Sequence, residues 1–397
     1  MNTEDKNSKA RVFSFSNRLC PKQPTGGPGG VNYRLVFANR NYGYIENMIH
    51  VFQDVIFEKD ATLKLSLADA EGSELEVLKR YLLKLDYYYH FSENDIYFFH
   101  DVGSAFIFLS TFPFTKTVLV YHQQGSLYKE WEYFSGQQDE SRKDTLDAIL
   151  ITTIKLIKYL AFPSKGAIES LIESEPTLKP IVENANTKIL YNGYDKPNDI
   201  KLTSNEIKSV ITVINDGSQE PVFITVAALN EAKGVERIPE FLSKVKAKHG
   251  PFKWIIVGNG VKAKELEDNI FRYGIEDNVM WLQQRVPHDD ILALFQYTDY
   301  YILTHRFSIF DFSTIEAMSY GNIPILTPVG GNKEVIIRNN GIFLYDLSDS
   351  KDYDEFIGNQ SIGELKRTNM EIANELFSEK AFLKGYADIV EELLQNE

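Results

Sequence analysis

Cysteine is almost absent from this sequence. Cys20 is the single cysteine among 397 residues, which excludes an intrachain disulfide and any metal site built from several thiolates. Scarce cysteine is typical of a reducing compartment, so we expect a cytoplasmic location. The seven histidines lack the His-x-x-x-His spacing of metal ligands. The one Asp-x-Asp pattern, Asp352-Tyr353-Asp354, lies in a polar acidic stretch typical of solvated surface. We therefore expect neither a metal nor another cofactor.

Long apolar runs and an excess of positive charge are also lacking. No run approaches the roughly 18 to 20 apolar residues of a membrane span, and Met1 to Ala10 lacks the basic start and apolar core of a signal peptide. The most apolar stretch, Ala148 to Phe162, has its apolar residues at helical spacing and predicts a core-facing helix. Lys plus Arg number 42 against 56 Asp plus Glu, a net charge of −14. Nucleic-acid phosphates need a basic surface, so no nucleic-acid partner is expected.

Short β-rich runs alternate with amphipathic helical stretches, which predicts parallel α/β layers. Hydrophobic residues are 43% and aromatic residues 13%, a composition that fits core packing or a sugar-binding cleft. We expect one Rossmann-like domain over 1–200, a second over 201–375, and a terminal helix over 376–397. The polar, turn-rich segment Lys196 to Glu220 is the predicted linker.

The predicted strands and helices follow this alternation along the chain. In the first half, the predicted strands are Val12 to Ser16, Leu63 to Leu67, Asp95 to Phe99, Thr117 to Tyr121 and Thr187 to Leu190. The predicted helices there are Glu74 to Leu85 and Leu146 to Leu160. In the second half, the predicted strands are Val222 to Ala228, Lys253 to Val257, Val279 to Leu282, Tyr300 to Leu303, Ile323 to Leu326 and Gly341 to Leu344.

Glycine- and lysine-bearing segments follow several predicted strands, where open α/β sheets bind their ligands. Thr25 to Val31 contains four glycines, whose backbone N–H groups suit an anionic or hydroxyl-rich ligand; the alternative is a flexible surface loop. Gly258-Asn259-Gly260 follows a strand, and by itself this segment predicts only a turn. Lys233, also after a strand, is placed to bind phosphate as a point charge, although such a lysine is more often solvated surface.

Two further segments complete the candidate site. Glu316 lies among apolar residues in a predicted helix that ends before Gly321, and its carboxylate suits the vicinal hydroxyls of a ribose. Gly330 and Gly331 follow the strand Ile323 to Leu326, so their N–H groups are candidates for phosphate binding.

These segments, taken in order, resemble a known family. The series is Lys233-Gly234, Gly258-Asn259-Gly260, Asp299, Glu316-Ala317-Met318, Gly321 to Pro324 and Gly330 to Glu334. It is similar to the carboxyl-terminal half of the retaining glycosyltransferases of family 4, over Val222 to Ile337. Weaker matches extend it to most of the chain: Gly26 to Gly30, His100-Asp101, His122, Ser164 and Asn192-Gly193.

The resemblance implies a GT-B fold, in which two Rossmann-like doubly wound domains face a cleft and the C-terminal helix crosses back. The domain over 1–200 would then bind the acceptor, the domain over 201–375 would bind the nucleotide sugar, and the terminal helix over 376–397 would pack on the first domain. It implies that Lys233 binds the donor diphosphate, Glu316 the ribose hydroxyls, and His122 the transferred sugar near the reacting centre. The implied catalytic residues are these three. The implied donor-binding residues are Gly29, Gly30, Gly258, Asn259, Lys233, Ser308, Phe310, Glu316, Gly330 and Gly331.

Three residues depart from the family pattern: Ala228 stands where the family usually has Arg, Ser308 where it has Glu, and Asp311 where it has Gly. A missing Arg removes a charge-assisted clamp on the leaving diphosphate, a loss on the order of 10²-fold in rate. Arg285 and Arg306 are the substitutes nearby in sequence.

Of the histidines, only His100 and His122 receive a candidate role, because both end predicted strands. A cleft role is favoured for His122, while His100 divides evenly between cleft lining and a structural hydrogen bond. His50, His90, His249, His288 and His305 receive none.

We therefore expect a retaining glycosyltransferase that moves a hexose from a nucleotide-diphosphate sugar to a saccharide, lipid-linked or protein acceptor, in polysaccharide or glycoconjugate biosynthesis. Two alternatives stay open. One is a catalytically inactive homologue that binds a glycan or partner, and the other is a sugar-nucleotide epimerase or phosphorylase on the same fold. Peripheral membrane contact and a homo- or hetero-oligomer also stay open.

Overall fold

Runs of β-branched and aromatic residues form short strands that alternate with helices throughout the described chain. The computed structural model describes residues 10–18, 22, 27–52, 74–358 and 361–395. The chain divides into two units, the first comprising Met1–Tyr191 with Lys380–Glu397 and the second comprising Asn192–Glu379.

The first unit is built on a six-stranded parallel sheet in the order β2-β1-β3-β4-β5-β6. Its strands are β1 (Val12–Ser16), β2 (Met48–Phe52), β3 (Ile96–Phe99), β4 (Thr117–Val120), β5 (Tyr159–Phe162) and β6 (Thr187–Ile189). Every residue of β1, β3, β4 and β5 is buried, because helices cover both faces of a parallel sheet.

The helices of the first unit begin at residues that suit helix N-termini. Asp101, Ser126, Asp139 and Ser164 each accept hydrogen bonds from backbone N–H groups in the first helical turn. The helices are α1 (Gly27–Tyr42), α2 (Glu74–Tyr89), α3 (Val102–Thr111), α4 (Leu127–Ser135), α5 (Glu140–Leu156), α6 (Lys165–Ser174) and α7 (Lys179–Asn184).

Two features of the first unit differ from the sequence expectation. The predicted helix over Ala148 to Phe162, and to Leu160, is wrong at its C-terminal end, because α5 stops at Leu156 and β5 follows. A strand buried on both faces has no periodicity of its own, so its apolar residues extended the helical pattern. Strand β2 was not predicted, and the predicted strand Leu63 to Leu67 lies outside the described residues.

The second unit contains all six strands predicted for it, in the order β12-β11-β10-β7-β8-β9. They are β7 (Val222–Val226), β8 (Lys253–Val257), β9 (Val279–Leu282), β10 (Tyr300–Leu303), β11 (Ile323–Leu326) and β12 (Ile342–Phe343). Its helices are α8 (Asn205–Ile214), α9 (Ile238–His249), α10 (Ala263–Arg272), α11 (His288–Phe295), α12 (Phe312–Ser319), α13 (Lys351–Ile357) and α14 (Ile362–Leu376).

The strand order of the second sheet creates a topological switch point between β7 and β10. Strands β8 and β9 follow β7 on one side, and β11 and β12 follow β10 on the other. The loops after β7 and β10 therefore diverge to opposite faces of the sheet, and ligands of such sheets bind in the crevice that this leaves. The first sheet has the equivalent point between β1 and β3.

The last helix, α15 (Glu379–Gln395), completes the core of the first unit. Tyr386 is fully buried and its ring lies 5.3 Å from that of Phe98. The Glu392 carboxylate accepts from the Tyr159 hydroxyl at 2.6 Å and contacts the Lys188 ammonium at 2.6 Å. No helix in the described ranges is both long and apolar enough to cross a bilayer.

Candidate functional site

Lys233 lies at the switch point of the second sheet. It follows β7 in a turn held by Asn230, whose side-chain oxygen accepts from the Lys233 N–H at 3.1 Å. The Lys233 ammonium forms an ion pair with the Asp311 carboxylate and lies 3.3 Å from Nε2 of His305, which follows β10. The Lys233 side chain keeps 25% of its surface exposed.

Asp311 is an ionised, largely buried carboxylate directly before α12. Besides Lys233, it accepts hydrogen bonds from the Ser313 hydroxyl at 2.6 Å and from the hydroxyls of Tyr301 and Thr314 at 3.3 Å each. Burial by itself would raise its pKa, but the Lys233 charge and these donors hold the pKa of Asp311 well below its usual range. The cation at the switch point is therefore neutralised by an anion of the same chain.

His305 is a neutral histidine that links this pair to the next strand. Burial and the adjacent Lys233 charge lower the pKa of His305 to about 3. Its Nδ1 lies 3.3 Å from the side-chain nitrogen of Asn332, which also donates to the Thr327 carbonyl at 2.9 Å. No role was predicted for His305. Its place at the end of β10 was visible in the sequence, but the adjacency of β10 and β7 was not.

Glu316 lies in α12, the helix that Asp311 precedes. It is 7% exposed, and its Oε1 lies 3.2 Å from Nε2 of His288, the first residue of α11. The Tyr194 ring meets His288 edge-on, with centroids 6.5 Å apart. A buried carboxylate beside a histidine fits the predicted acceptor of hydroxyl hydrogen bonds, although no role was predicted for His288.

Gly258 and Gly260 allow the loops after β7 and β8 to touch. Gly258 has φ of +144°, and a Cβ there would lie 1.9 Å from the Ala227 carbonyl oxygen. A Cβ at Gly260 would lie 2.3 Å from the Leu229 carbonyl oxygen. Asn259 turns its side-chain oxygen to the Gly260 N–H at 2.7 Å. Close backbone packing accounts for both glycines, and donor binding by Gly258 and Asn259 stays a prediction.

Gly330 and Gly331 are needed for a similar close approach. Added Cβ atoms would lie 1.8 Å from the Ser308 carbonyl oxygen and 2.0 Å from the Ile309 carbonyl oxygen. The Gly331 N–H, expected to face a ligand, donates to the Ser308 carbonyl at 3.1 Å. Phe310 is buried and packs against Phe377, with centroids 5.3 Å apart. These contacts position the loop before α12, so a donor role for its residues stays a prediction.

Arg306, one of the two arginines predicted as substitutes at Ala228, is bound by acidic side chains. The Arg306 guanidinium contacts the Glu236 carboxylate at 2.5 Å and the Glu231 carboxylate at 3.1 Å. Arg237 donates to the carbonyls of Thr304 and His305. Both guanidiniums therefore support the loops around Lys233, and a substitute role for Arg306 or Arg285 stays a prediction.

In the first unit, His100 and His122 follow β3 and β4 and contact each other. Nδ1 of His100 lies 3.1 Å from Nε2 of His122, and the two rings are stacked. Burial and the charge of Arg18 lower the pKa of His122 to about 4. Burial, together with His122 and His50, lowers the pKa of His100. His122 is thus neutral, and the His100 ring orients it.

The glycine segment differs from the predicted loop. Gly29 and Gly30 lie in the first turns of α1, while Thr25 and Gly26 lie outside the described residues. The buried Arg34 side chain donates to the Gly30 carbonyl at 3.3 Å. Burial of Val31 and Leu35 on the same helix outweighs the low helix propensity of glycine.

Histidines with lowered pKa values make the first unit sensitive to acid. Burial, with the charge of Arg40, lowers the pKa of His50 to about 4, below the unfolded value of about 6.5. Between these pH values the unfolded chain binds more protons, so the free energy of unfolding falls as pH falls. We expect His50→Gln to reduce this slope by about 1 kcal/mol per pH unit, measured by chemical denaturation. The two proteins should show parallel pH dependence from about pH 7.5 to 8.5. Identical slopes below pH 6.5 would contradict the assignment.

The described parts of the chain contain no group of three or more His, Cys, Asp or Glu side chains that could hold a metal ion. Both aspartates of the Asp352-Tyr353-Asp354 pattern bind groups of the same unit. Asp354 contacts Lys248 and His249, and Asp352 accepts from the Tyr345 N–H at 3.1 Å. Independence from metals stays a prediction.

Comparison with known proteins finds a family match within the second unit. Residues 208–373 match the family model described as Glycosyl transferases group 1. Over 160 residues the chain is 28% identical to an uncharacterized glycosyltransferase of Methanocaldococcus jannaschii. That match covers 40% of this chain and 40% of the relative, so the chain spans about two fifths of the relative's length.

Two solved structures share the fold over nearly the whole chain. Sucrose-phosphate synthase from Thermosynechococcus elongatus has a TM-score of 0.68 at 14% identity, covering 98% of this chain and 100% of that one. Anabaena HepE in complex with UDP has a TM-score of 0.64 at 17% identity, covering 96% and 100%. With the two parallel six-stranded sheets, they confirm the predicted α/β fold of GT-B type. Over residues 208–373, the chain therefore matches the family model Glycosyl transferases group 1, and its fold is of GT-B type.

Proposed function

We propose that the chain is a retaining glycosyltransferase that takes a hexose from a nucleotide-diphosphate sugar bound in the second unit. The observation that carries the proposal is the placement of Lys233 and Glu316 in the family-matched domain. A partly exposed lysine stands at the switch point, and a buried carboxylate lies on the helix that starts beside it. The complex of HepE with UDP supports a uridine nucleotide as the first donor to test.

In the proposed reaction, Lys233 stabilises the negative charge that develops on the leaving diphosphate. Glu316 accepts hydrogen bonds from the ribose hydroxyls and so orients the donor. The acceptor, a saccharide, lipid-linked or protein hydroxyl, attacks the anomeric carbon from the face that the diphosphate leaves, which retains the anomeric configuration. The new glycosidic bond replaces the bond between the anomeric carbon and the diphosphate oxygen, and the hydroxyl proton leaves with the diphosphate. His122 in the first unit is the proposed contact to the transferred sugar. No step in this scheme requires a metal.

The test is release of nucleoside diphosphate from a panel of nucleotide sugars, with and without saccharide acceptors. We expect acceptor-stimulated release from one donor class, and we expect Lys233→Ala to reduce it by about 10²-fold. Lys264→Ala is the matched control, because Lys264 is 76% exposed on α10. Neither release nor binding of any donor would contradict the proposal.

The Lys233–Asp311 ion pair favours a second candidate, a catalytically inactive homologue that binds a glycan or partner. A neutralised lysine, combined with Ala228 and Ser308 at the departures from the family pattern, weakens the charge available to the leaving group. Tight donor binding without release in any acceptor mixture would identify this candidate. An isomerised sugar formed without acceptor would instead indicate an epimerase.

A further inference from the structure

We propose that the Asp311 carboxylate competes with the diphosphate of the sugar nucleotide. It does so because it occupies the ammonium and hydroxyl groups that the diphosphate needs as hydrogen-bond donors. This inference rests on the proposed function, since it concerns the same site. Donor affinity would then be set by the exchange of one anion, the Asp311 carboxylate, for another, a phosphate group. Asp311 thereby becomes an affinity-determining residue of the second unit.

Four hydrogen-bond donors surround the Asp311 carboxylate. An ammonium and three hydroxyls, those of Tyr301, Ser313 and Thr314, converge on one carboxylate. Such groups bind phosphate oxygens in the same way as carboxylate oxygens, because both are anionic acceptors. The donors lie at the carboxyl end of the sheet beside its switch point, where ligands of this sheet type bind.

The position of Asp311 relative to α12 points the same way. Asp311 is the residue before the helix, where an aspartate side chain usually accepts from a backbone N–H. Its side chain makes no such capping hydrogen bond, and the carboxylate is turned to the Lys233 ammonium instead. The Asp311 carboxylate therefore pairs with the Lys233 ammonium rather than with the first backbone N–H groups of α12.

Charge balance explains why Asp311 and a phosphate would compete. Arg306 is bound to two glutamates, and burial together with the Lys233 charge keeps His305 neutral. Arg237 donates to the backbone carbonyls of Thr304 and His305, which leaves Lys233 as the cation that contacts Asp311. Two anions a few ångströms apart repel strongly in a partly buried site, so a bound phosphate displaces the carboxylate from the ammonium.

Isothermal titration of the full-length protein with UDP, GDP, ADP and inorganic pyrophosphate tests the inference. We expect Asp311→Asn to tighten the Kd of the preferred nucleoside diphosphate, and of pyrophosphate, by about 10-fold or more. In the Asp311→Asn background, Lys233→Ala should remove the gain, because the gain comes from the released ammonium. Asp268→Asn, an exposed change on α10, is the matched control and should leave Kd unchanged.

Three outcomes separate this inference from the proposed function. A 10-fold gain that depends on Lys233 supports both. Equal Kd values for the wild type and Asp311→Asn overturn the inference and leave the proposed function standing. Absence of binding in every protein, up to millimolar ligand, overturns both. Thermal melts verify folding, and Asp311→Ser is measured in place of Asp311→Asn if the latter fails to fold.

Discussion

Replacement of Glu316 by alanine is expected to lower kcat/KM for the nucleotide-sugar donor by about 10²-fold, because charge-assisted hydrogen bonds to the donor are lost. Glu316 is 7% exposed and is held beside His288, so little water can replace the missing carboxylate. Steady-state release of nucleoside diphosphate at subsaturating donor measures the effect. Glu267→Ala, a change on the exposed surface of α10, is the matched control.

A deoxygenated donor separates ligand binding from a structural role of Glu316. We expect the wild type to discriminate against a 2′- or 3′-deoxyribose donor by a similar factor. The Glu316→Ala variant should discriminate little, because the hydroxyl and the carboxylate contribute through one interaction. Equal discrimination by both proteins would show that Glu316 does not bind the ribose. Glu316→Gln, which preserves the volume of the side chain, is measured as well in case Glu316→Ala fails to fold.

Replacement of Gly258 by alanine is expected to lower the free energy of unfolding by about 3 to 4 kcal/mol. The φ of +144° is unfavourable for an L residue, and the new Cβ would lie 1.9 Å from the Ala227 carbonyl oxygen. The loop after β7 would have to move away from β8, and that loop leads to Lys233. Chemical denaturation measures the loss, and donor affinity should fall together with stability.

Gly274 is the matched control for Gly258. It also has positive φ, +63°, but an added Cβ there would meet no atom within 4 Å. Gly274→Ala should therefore cost only about 1 kcal/mol, from backbone strain alone. Equal losses for the two variants would mean that the loops after β7 and β8 separate without cost.

The strands of the second unit could be predicted because each is a short apolar run bounded by turn residues. The predicted limits of β8, β9, β10 and β11 agree with the structure to the residue. In the first unit the same reasoning joined β5 to α5, because a strand buried on both faces continues the apolar pattern of a preceding helix. The local hydrophobic pattern identifies a strand or a helix correctly when turn residues separate it from the next element. Where turn residues are absent, the same pattern joins two elements into one.

The contact partners of the candidate site could not be predicted in the same way. Lys233 and Glu316 were found because their types and places relative to strand ends suit phosphate and ribose. Asp311 was visible only as a departure from a family pattern, and His305 received no role. Their meeting at Lys233 depends on β10 lying beside β7, a pairing between segments far apart in sequence.

The sequence by itself determined the alternation of strands and helices, the absence of a disulfide framework, and the candidate residues at strand ends. These follow from local hydrophobic period, turn residues and composition. Only the tertiary structure decided that Lys233 is neutralised by Asp311, that Arg306 is held by Glu231 and Glu236, and that Gly331 donates its N–H internally. Charge balance in a site depends on which side chains strand order brings within a few ångströms of one another, and that order is a property of the folded chain.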